Sequence, residues 1–334
     1  MKKSEAHGES SFNFFLDKLQ LLLDKSTRQK NPALWLYQNN ARTPLFMLEA
    51  LARLYTGINK EKKFAKLDVE FKLLEDVLGA IDYYDVFAKQ FAADKKIPAA
   101  VTNYLQAQAR EKVQQLNEML IEKKWVRETG NRITKLKKKL SKADWKKSKA
   151  EIKAVYDFYV DAINHILVFV HQENFHFENI ETDVHELRRK LRWLSIYPQA
   201  LQGCVQLSKT KSYPKSLNKY LTKEIINSPF NKMPDAGDAK HFLIIDQNYF
   251  YALSWIIAEL GRLKDAGLRV IVIKEAVQQT SALKEDAALK RAYQLAGAKQ
   301  LTIPQLLKQA DAICKTYFKE KNLEKLLIGI RHVK

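Results

Sequence analysis

Two cysteines in 334 residues, Cys204 and Cys314, cannot supply a disulfide framework, and neither stands in a C-x-x-C spacing that would hold zinc through thiolates. A reducing compartment fits this usage. Glycine and proline are sparse, at 10 and 8 residues, which argues against many short strands joined by tight turns. No uninterrupted apolar stretch follows Met1-Lys2-Lys3, because Asn13, Asp17, Lys18 and Gln20 break the run from Phe12 to Leu23, so a signal peptide is not expected. The longest strongly apolar run, Ile166 to Val170, falls far short of the roughly 20 residues that span a bilayer. The expectation is a soluble, cytoplasmic chain with no membrane partner.

Catalytic signatures are missing as well. There is no Walker A loop, no dinucleotide G-x-G-x-x-G, no G-x-S-x-G elbow and no H-E-x-x-H. His171, Glu173, His176 and Glu178 fall close together, but histidines five apart sit poorly on one helix face, where metal ligands favour a separation of four. No metal, no cofactor and no enzymatic activity are expected.

What the chain has is helix-forming composition and positive charge. Leu, Lys, Ala, Glu and Gln recur throughout, 46% of residues are hydrophobic, and the net charge is +19. Such a charge attracts phosphate-rich partners and speeds their encounter. Trp145, Ile152, Tyr156, Tyr159, Ile163, Ile166 and Val170 repeat at steps of three, four and seven, a stripe that belongs inside a bundle. Further helices are expected over Ser11–Lys25, Pro44–Thr56, Lys62–Ala92, Ala99–Thr129, Asn131–Leu140, Asp183–Gln202, Phe242–Gln279, Lys284–Ala296 and Ile303–Gly329. Thr43 before Pro44 resembles an N-cap, Ser141 with Asp144 a capping box, and Gly267 and Gly297 helix stops. The tract Ser208–Lys240, with Pro214, Pro229, Pro234 and Gly237, reads as an insertion. The Tyr83-Tyr84-Asp85-Val86-Phe87 and Tyr249-Phe250-Tyr251 clusters read as core aromatics.

Read in halves, the chain shows a weak internal repeat. Asn39-Asn40-Ala41-Arg42 leading into Leu45-Phe46-Met47-Leu48 parallels His185-Glu186-Leu187-Arg188 leading into Leu191-Arg192-Trp193-Leu194. Leu78-Gly79-Ala80-Ile81-Asp82-Tyr83 parallels Leu260-Gly261-Arg262-Leu263-Lys264-Asp265. The first pair is 40 positions apart from Asn39 to Gly79 and the second 76 from His185 to Gly261, an excess close to the length of the proline-containing tract.

These segments resemble the CHAD family, the conserved-histidine α-helical domain, whose signature is H-x-x-R with further basic residues on one helix and L-G-x-x-R-D on the next. The second half carries His185, Arg188, Arg189, Lys190, Arg192 and Leu194 in that arrangement, with Lys264-Asp265 in place of Arg-Asp. The first half keeps Arg42 and the apolar frame; Asn39 stands in place of histidine, Phe46, Met47 and Glu49 in place of basic residues, and Asp82-Tyr83 in place of Arg-Asp. The resemblance implies an all-α fold of two four-helix bundles related by a pseudo-twofold axis. The halves would be residues 1–170 and 171–334, the second with the insertion near 208–240. It also implies a central basic channel that binds inorganic polyphosphate.

Two groups of cations are candidates for such binding. On a helical wheel His185, Arg188, Arg189 and Arg192 fall within about 100° of one another, opposite the apolar Val184, Leu187, Leu191 and Leu194. Arg suits phosphate through its two-pronged fork. Arg42 and Lys264 join this group by the repeat. The second group lies in Lys123–Lys153, where thirteen Lys or Arg face Glu128, Asp144 and Glu151. There Arg132, Lys135, Lys139, Lys142, Lys146, Lys149 and Lys153 would form one ridge on a continuous helix, or two clusters if the chain breaks at Ser141. The expected partner is inorganic polyphosphate or another polyanion, with nucleic acid as the rival, although no finger, RNP-like strand or helix-turn-helix is present. A structural protein with a decayed anion site is the other alternative.

Overall fold

The computed structural model describes residues 6–126, 132–172, 174–208, 212–237 and 239–333. The fold is all-α, built as two helical bundles. The first contains α1 (His7–Ser26), α2 (Pro32–Gln38), α3 (Arg42–Asn59), α4 (Lys62–Ala92), α5 (Ala99–Glu122) and α6 (Arg132–Leu140). Next comes α7 (Ser148–Gln172), which packs on α3 of the first bundle. A single wide π-turn, Ile180–His185, leads into the second bundle: α8 (Glu186–Ala200), α9 (Lys223–Asn227), α10 (Gln247–Thr280), α11 (Glu285–Ala296), α12 (Ile303–Lys319) and α13 (Asn322–Ile328). Helices α3 and α8 pack on each other and join the bundles, while α7 also touches α8 and α13.

Heptad-like spacing explains the packing. Phe12, Phe15, Leu16, Leu19 and Leu23 of α1 are buried, as are Ile152, Val155, Tyr159, Ile163, Ile166 and Val170 of α7. One hydrophobic core runs without interruption from Phe12 to Ile330, and a smaller one forms where the ends of α4 and α10 meet α5 and α11. Phe250 and Tyr251 lie in the large core, with Tyr249 at its edge; Tyr83, Tyr84 and Phe87 flank the small one. Among the described residues no helix is long and apolar enough to cross a membrane.

A buried carboxylate fixes the start of α1. Glu151, in the first turn of α7, is 1% exposed and accepts from the backbone N–H of His7 and of Gly8, each at 3.0 Å, and from the Tyr55 hydroxyl at 2.6 Å. It satisfies N–H groups that helix geometry leaves without partners, at the positive end of the α1 dipole. Gly8 permits this approach: a Cβ there would lie 2.3 Å from the Tyr55 ring and 2.6 Å from the Trp145 indole.

Several boundaries differ from expectation for identifiable reasons. Phe242–Ile245, expected as the start of a helix, is strand β2 in a small sheet with β1 (Val205–Leu207, parallel) and β3 (Arg331–Val333, antiparallel). Asp246 then caps α10, its side chain accepting from the N–H of Asn248 and Tyr249 at 2.9 and 3.2 Å. Gly267 does not end α10; it is buried, and a Cβ would meet Ile180 of the π-turn at 3.0 Å, so close packing selects glycine there. Gly297 does end α11, at φ 97°. Thr43 is not a cap, because α3 begins at Arg42 and carries Pro44 inside its first turn. Ser141 and Asp144 form no capping box: the Ser141 hydroxyl donates to the Lys138 carbonyl, and helix resumes only at Ser148. Trp145 therefore leaves the α7 stripe and joins Phe12, Tyr55 and Phe64 in an aromatic cluster, its indole donating to the Leu140 carbonyl at 2.9 Å. The expected helix Ile303–Gly329 breaks at Lys321, whose φ is 56°. Helix α2 was not expected, although Asn31 caps it and Pro32 opens it. Helix α5 ends at Glu122; Arg127–Thr129, expected within it, lie outside the described residues.

Within the tract 208–240, residues 212–237 are packed back onto the second bundle. Tyr220 donates to Glu320 at 2.5 Å, Ser254 to the buried Asn231 at 2.6 Å, and Gln199 to the Lys232 carbonyl at 2.7 Å.

Candidate anion site at the junction of α3 and α8

Two arginines are held against glycines in matching ways. Arg42 opens α3 and lies on Gly79 of α4, where a Cβ would come within 2.9 Å of the guanidinium; Arg188 of α8 lies on Gly261 of α10 at the same separation. In each case Nε donates to the residue one turn before the glycine. For Arg42 the acceptor is the Glu75 carboxylate at 2.6 Å, and for Arg188 it is the Ile257 carbonyl at 3.3 Å. Arg42 also pairs with Asp82 at 3.4 Å. The two sites thus share geometry and differ in charge: Arg42 is neutralised by carboxylates, whereas Arg188 is held by a neutral dipole.

Arg192, one turn beyond Arg188, is half-buried at the centre of the junction. Its guanidinium lies 4.2 Å from the centre of the Phe46 ring, Phe46 stacks on Trp193 at 4.9 Å and 10°, and the Arg53 guanidinium lies 4.6 Å from the centre of the Trp193 ring. This cation–aromatic–aromatic–cation pile bridges α3 and α8. Among the described residues no carboxylate comes within ion-pairing distance of Arg192 or Arg188. Burial lowers the pKa of Arg192 to about 10, and the neighbouring Arg188 and Arg42 add to this against the weaker pull of Glu75 and Glu49. Burial also lowers that of Arg188, against Asp265. Both remain cations at neutral pH.

Beneath the pile lies an acidic layer that sequence reasoning missed. Glu49 and Glu75 are 3% and 6% exposed, and Arg53 pairs with Glu49 at 3.1 Å and with Asp68 at 3.9 Å. The signal was available: Glu49 and Arg53, and likewise Glu75 and Gly79, are four residues apart and so share a helix face.

The remaining expected residues are engaged elsewhere. His185 bonds Glu181 at 3.2 Å, Arg189 pairs with Glu186 at 2.7 Å, and Lys264 pairs with Asp265 at 2.8 Å. The hydrogen bond from His185, and then the charge of Lys264, hold the Glu181 carboxyl below its ordinary range, so both side chains lie beside an acid rather than with the Arg188–Arg192 pair. The structure therefore brings together Arg42, Arg188 and Arg192 and separates Arg189 from them.

The lysine ridge is divided. Helix α6 stops at Leu140 and α7 starts at Ser148, which leaves Arg132, Lys135 and Lys139 on one segment and Lys149 and Lys153 on another. Lys135 and Lys142 are exposed, while Lys139 is half-buried. Arg127 and Glu128 of the charge run lie outside the described residues, as does Glu173 of the acidic and histidine cluster. His176 is taken by Asp311 at 3.0 Å, and no group of three potential metal ligands occurs among the described residues. No protein-family model matches the chain, and no curated protein is similar to it in sequence.

Proposed function

We propose that this protein is a non-catalytic binding module for inorganic polyphosphate or a similar linear polyanion, engaged at the α3–α8 junction through Arg188 and Arg192. The observation that carries the proposal is Arg192, a half-buried guanidinium beside two others without a carboxylate of its own. Such a cluster is unfavourable until an anion bridges it, and a polyphosphate chain supplies charge at close, regular intervals. The matching Arg42–Gly79 and Arg188–Gly261 contacts support a reading of the two bundles as copies of one unit, as the resemblance to CHAD domains implies. Arg42 contributes less because Glu75 and Asp82 already occupy it. The two buried thiols, Cys204 and Cys314, agree with a cytoplasmic location.

The test compares polyphosphate binding by R188E/R192E, R42E and wild-type protein at one salt concentration. The double variant is expected to lose most affinity and R42E much less. Wild-type affinity in a folded R188E/R192E protein would refute the assignment, and preference for duplex DNA in competition would favour a nucleic-acid role. A second reading rests on Phe46, which fills with an aromatic ring the place opposite Arg192, and on the acids around Arg42. In that reading the anion site has decayed and the junction serves only to hold the bundles together. Absence of binding to any polyanion at physiological salt would select it.

A further inference from the structure

The loop between α6 and α7 is fixed from within and charged on the outside. Helix α6 stops at Leu140 and α7 starts at Ser148, and the residues between are tied to the first bundle at several points. The Trp145 indole donates to the Leu140 carbonyl at 2.9 Å, and its ring packs on those of Tyr55 and Phe64 at 5.1 and 5.5 Å. From the end of α3 the Asn59 side-chain amide donates to the Asp144 carbonyl at 3.1 Å, and from α4 the Lys63 ammonium donates to the Lys142 carbonyl at 3.0 Å. Just before α4, the Glu61 carboxylate accepts from the Asp144 N–H at 3.2 Å. The aromatic side chain of the loop and these backbone groups are engaged by the body of the protein. Lys142, Lys146 and Lys147 are left exposed, as is Lys149 in the first turn of α7.

These four ammonium groups have no counter-charge of their own. Neighbouring lysines do: Lys137 pairs with Asp17, Lys153 with Asp157 at 2.7 Å and Lys63 with Glu61 at 2.8 Å. Among the described residues no carboxylate comes within ion-pairing distance of Lys142, Lys146, Lys147 or Lys149. Glu151, next along α7, is buried and occupied by the start of α1. Residues 142 and 149 can lie at most ~25 Å apart by chain length, less than the ~34 Å of one duplex turn. Because the loop is already held, presenting these lysines to a partner orders little further backbone.

We infer that Lys142, Lys146, Lys147 and Lys149 form a contact surface for the phosphate backbone of a nucleic-acid duplex, separate from the α3–α8 junction. An exposed ammonium gains little from one ion pair in water, so the partner that fits offers many phosphates at once. A duplex does so, with one charge per ~1.7 Å of its axis. Over residues 141–149 no large apolar side chain is exposed, so the surface lacks the apolar contact that joins basic residues to a bilayer. The same residues expose no aromatic ring on which the bases of a single strand could stack. No Arg, Asn or Gln stands among them to read base edges with a planar fork, so the contact is independent of base sequence.

The probe is a labelled DNA duplex of about two turns, titrated against the intact chain by fluorescence anisotropy at about 0.05 and 0.2 M salt. Four phosphate contacts should make wild-type affinity fall on the order of 100-fold between these salt concentrations. K142Q/K146Q/K147Q, with one contact left, should fall only about fourfold, and should bind at least ~10-fold more weakly than wild type at the lower salt. K290Q/K299Q/K308Q removes the same charge from exposed lysines of the second bundle and should keep the wild-type salt dependence, within about threefold in affinity. Two duplexes of unrelated sequence should bind alike, and circular dichroism checks that each variant is folded. Wild-type affinity in K142Q/K146Q/K147Q, an equal loss in the charge-matched control, or no binding at the lower salt would each overturn the inference. Vesicles of phosphatidylcholine and phosphatidylserine that bind through these lysines where the duplex does not would assign the surface to a bilayer instead. R188Q/R192Q should bind the duplex within about threefold of wild type. Linear polyphosphate that displaces the duplex from that variant at a lower phosphate concentration would also overturn the inference. Because the duplex is measured in a protein without the junction arginines, this proposal and the polyphosphate proposal fail separately.

Discussion

Glu49 should make the stability of this protein depend on pH in a way that a single substitution removes. Its carboxylate is 3% exposed on α3 and faces Arg53 on its own helix, Asp68, Lys72 and Glu75 on α4, and Arg192 on α8. Burial raises its pKa from 4.5 to about 7, with Arg53 acting against the rise and Glu75 and Asp68 adding to it. The unfolded chain ionises this group near its ordinary value, so between the two values the folded protein holds a proton that the unfolded chain has released. The folded state is therefore favoured by Glu49 protonation at low pH. That contribution falls as pH rises through the window from 4.5 to about 7 and stays lost above it. A shift of this size corresponds to roughly 3 kcal/mol.

Glu49→Gln keeps an oxygen to accept from Arg53 and removes the titration. Urea unfolding followed by circular dichroism should find E49Q more stable than wild type at pH 8 by up to ~3 kcal/mol, with the difference shrinking towards zero at the acid end of the window. Taking the difference between the two proteins cancels the titration of every other group. A difference that does not change with pH, or an E49Q protein that is the less stable at pH 8, would refute the reasoning. Protonation of Glu49 also removes a negative charge beside Arg192. Under the proposed function, wild-type protein should bind polyphosphate more tightly at pH 6 than at pH 8, and E49Q should flatten that dependence.

Other perturbations test the packing around this site and at the start of α1. Glu151→Ala leaves two backbone N–H groups and the Tyr55 hydroxyl without their acceptor, and should cost about 3–5 kcal/mol in urea unfolding; a loss under ~1 kcal/mol would mean that water replaces the carboxylate. Gly8→Ala drives a methyl into the buried Tyr55 ring and the half-buried Trp145 ring and should lower the thermal midpoint far more than Gly261→Ala, where the near atoms belong to the flexible Arg188 side chain. The latter should instead reduce polyphosphate affinity by displacing Arg188, with little change in midpoint; calorimetric titration beside a melting curve separates the two effects.

Helical spacing is a local property, and most of it is legible in the chain. Lys62–Ala92 reads directly as α4 because apolar residues recur with the helix period between an unbroken pair of termini, and the rarity of glycine and proline sets the fold class. Arg188 and Arg192 can be placed one turn apart on a common face for the same reason. What sequence could not decide is pairing across distance. Phe242–Ile245 is a strand because residues 205–207 and 331–333 arrive on either side of it, and Gly267 sits inside a helix because Ile180 packs onto it. The same holds for charge. Arg42 and Arg188 look alike in the repeat, but Glu75 stands under one and a backbone carbonyl under the other. An arginine's neighbours on its own helix are fixed by its number in the chain; the acid or cation that faces it from another helix is fixed by how the helices pack, and that contact decides which positive charges an anion can reach.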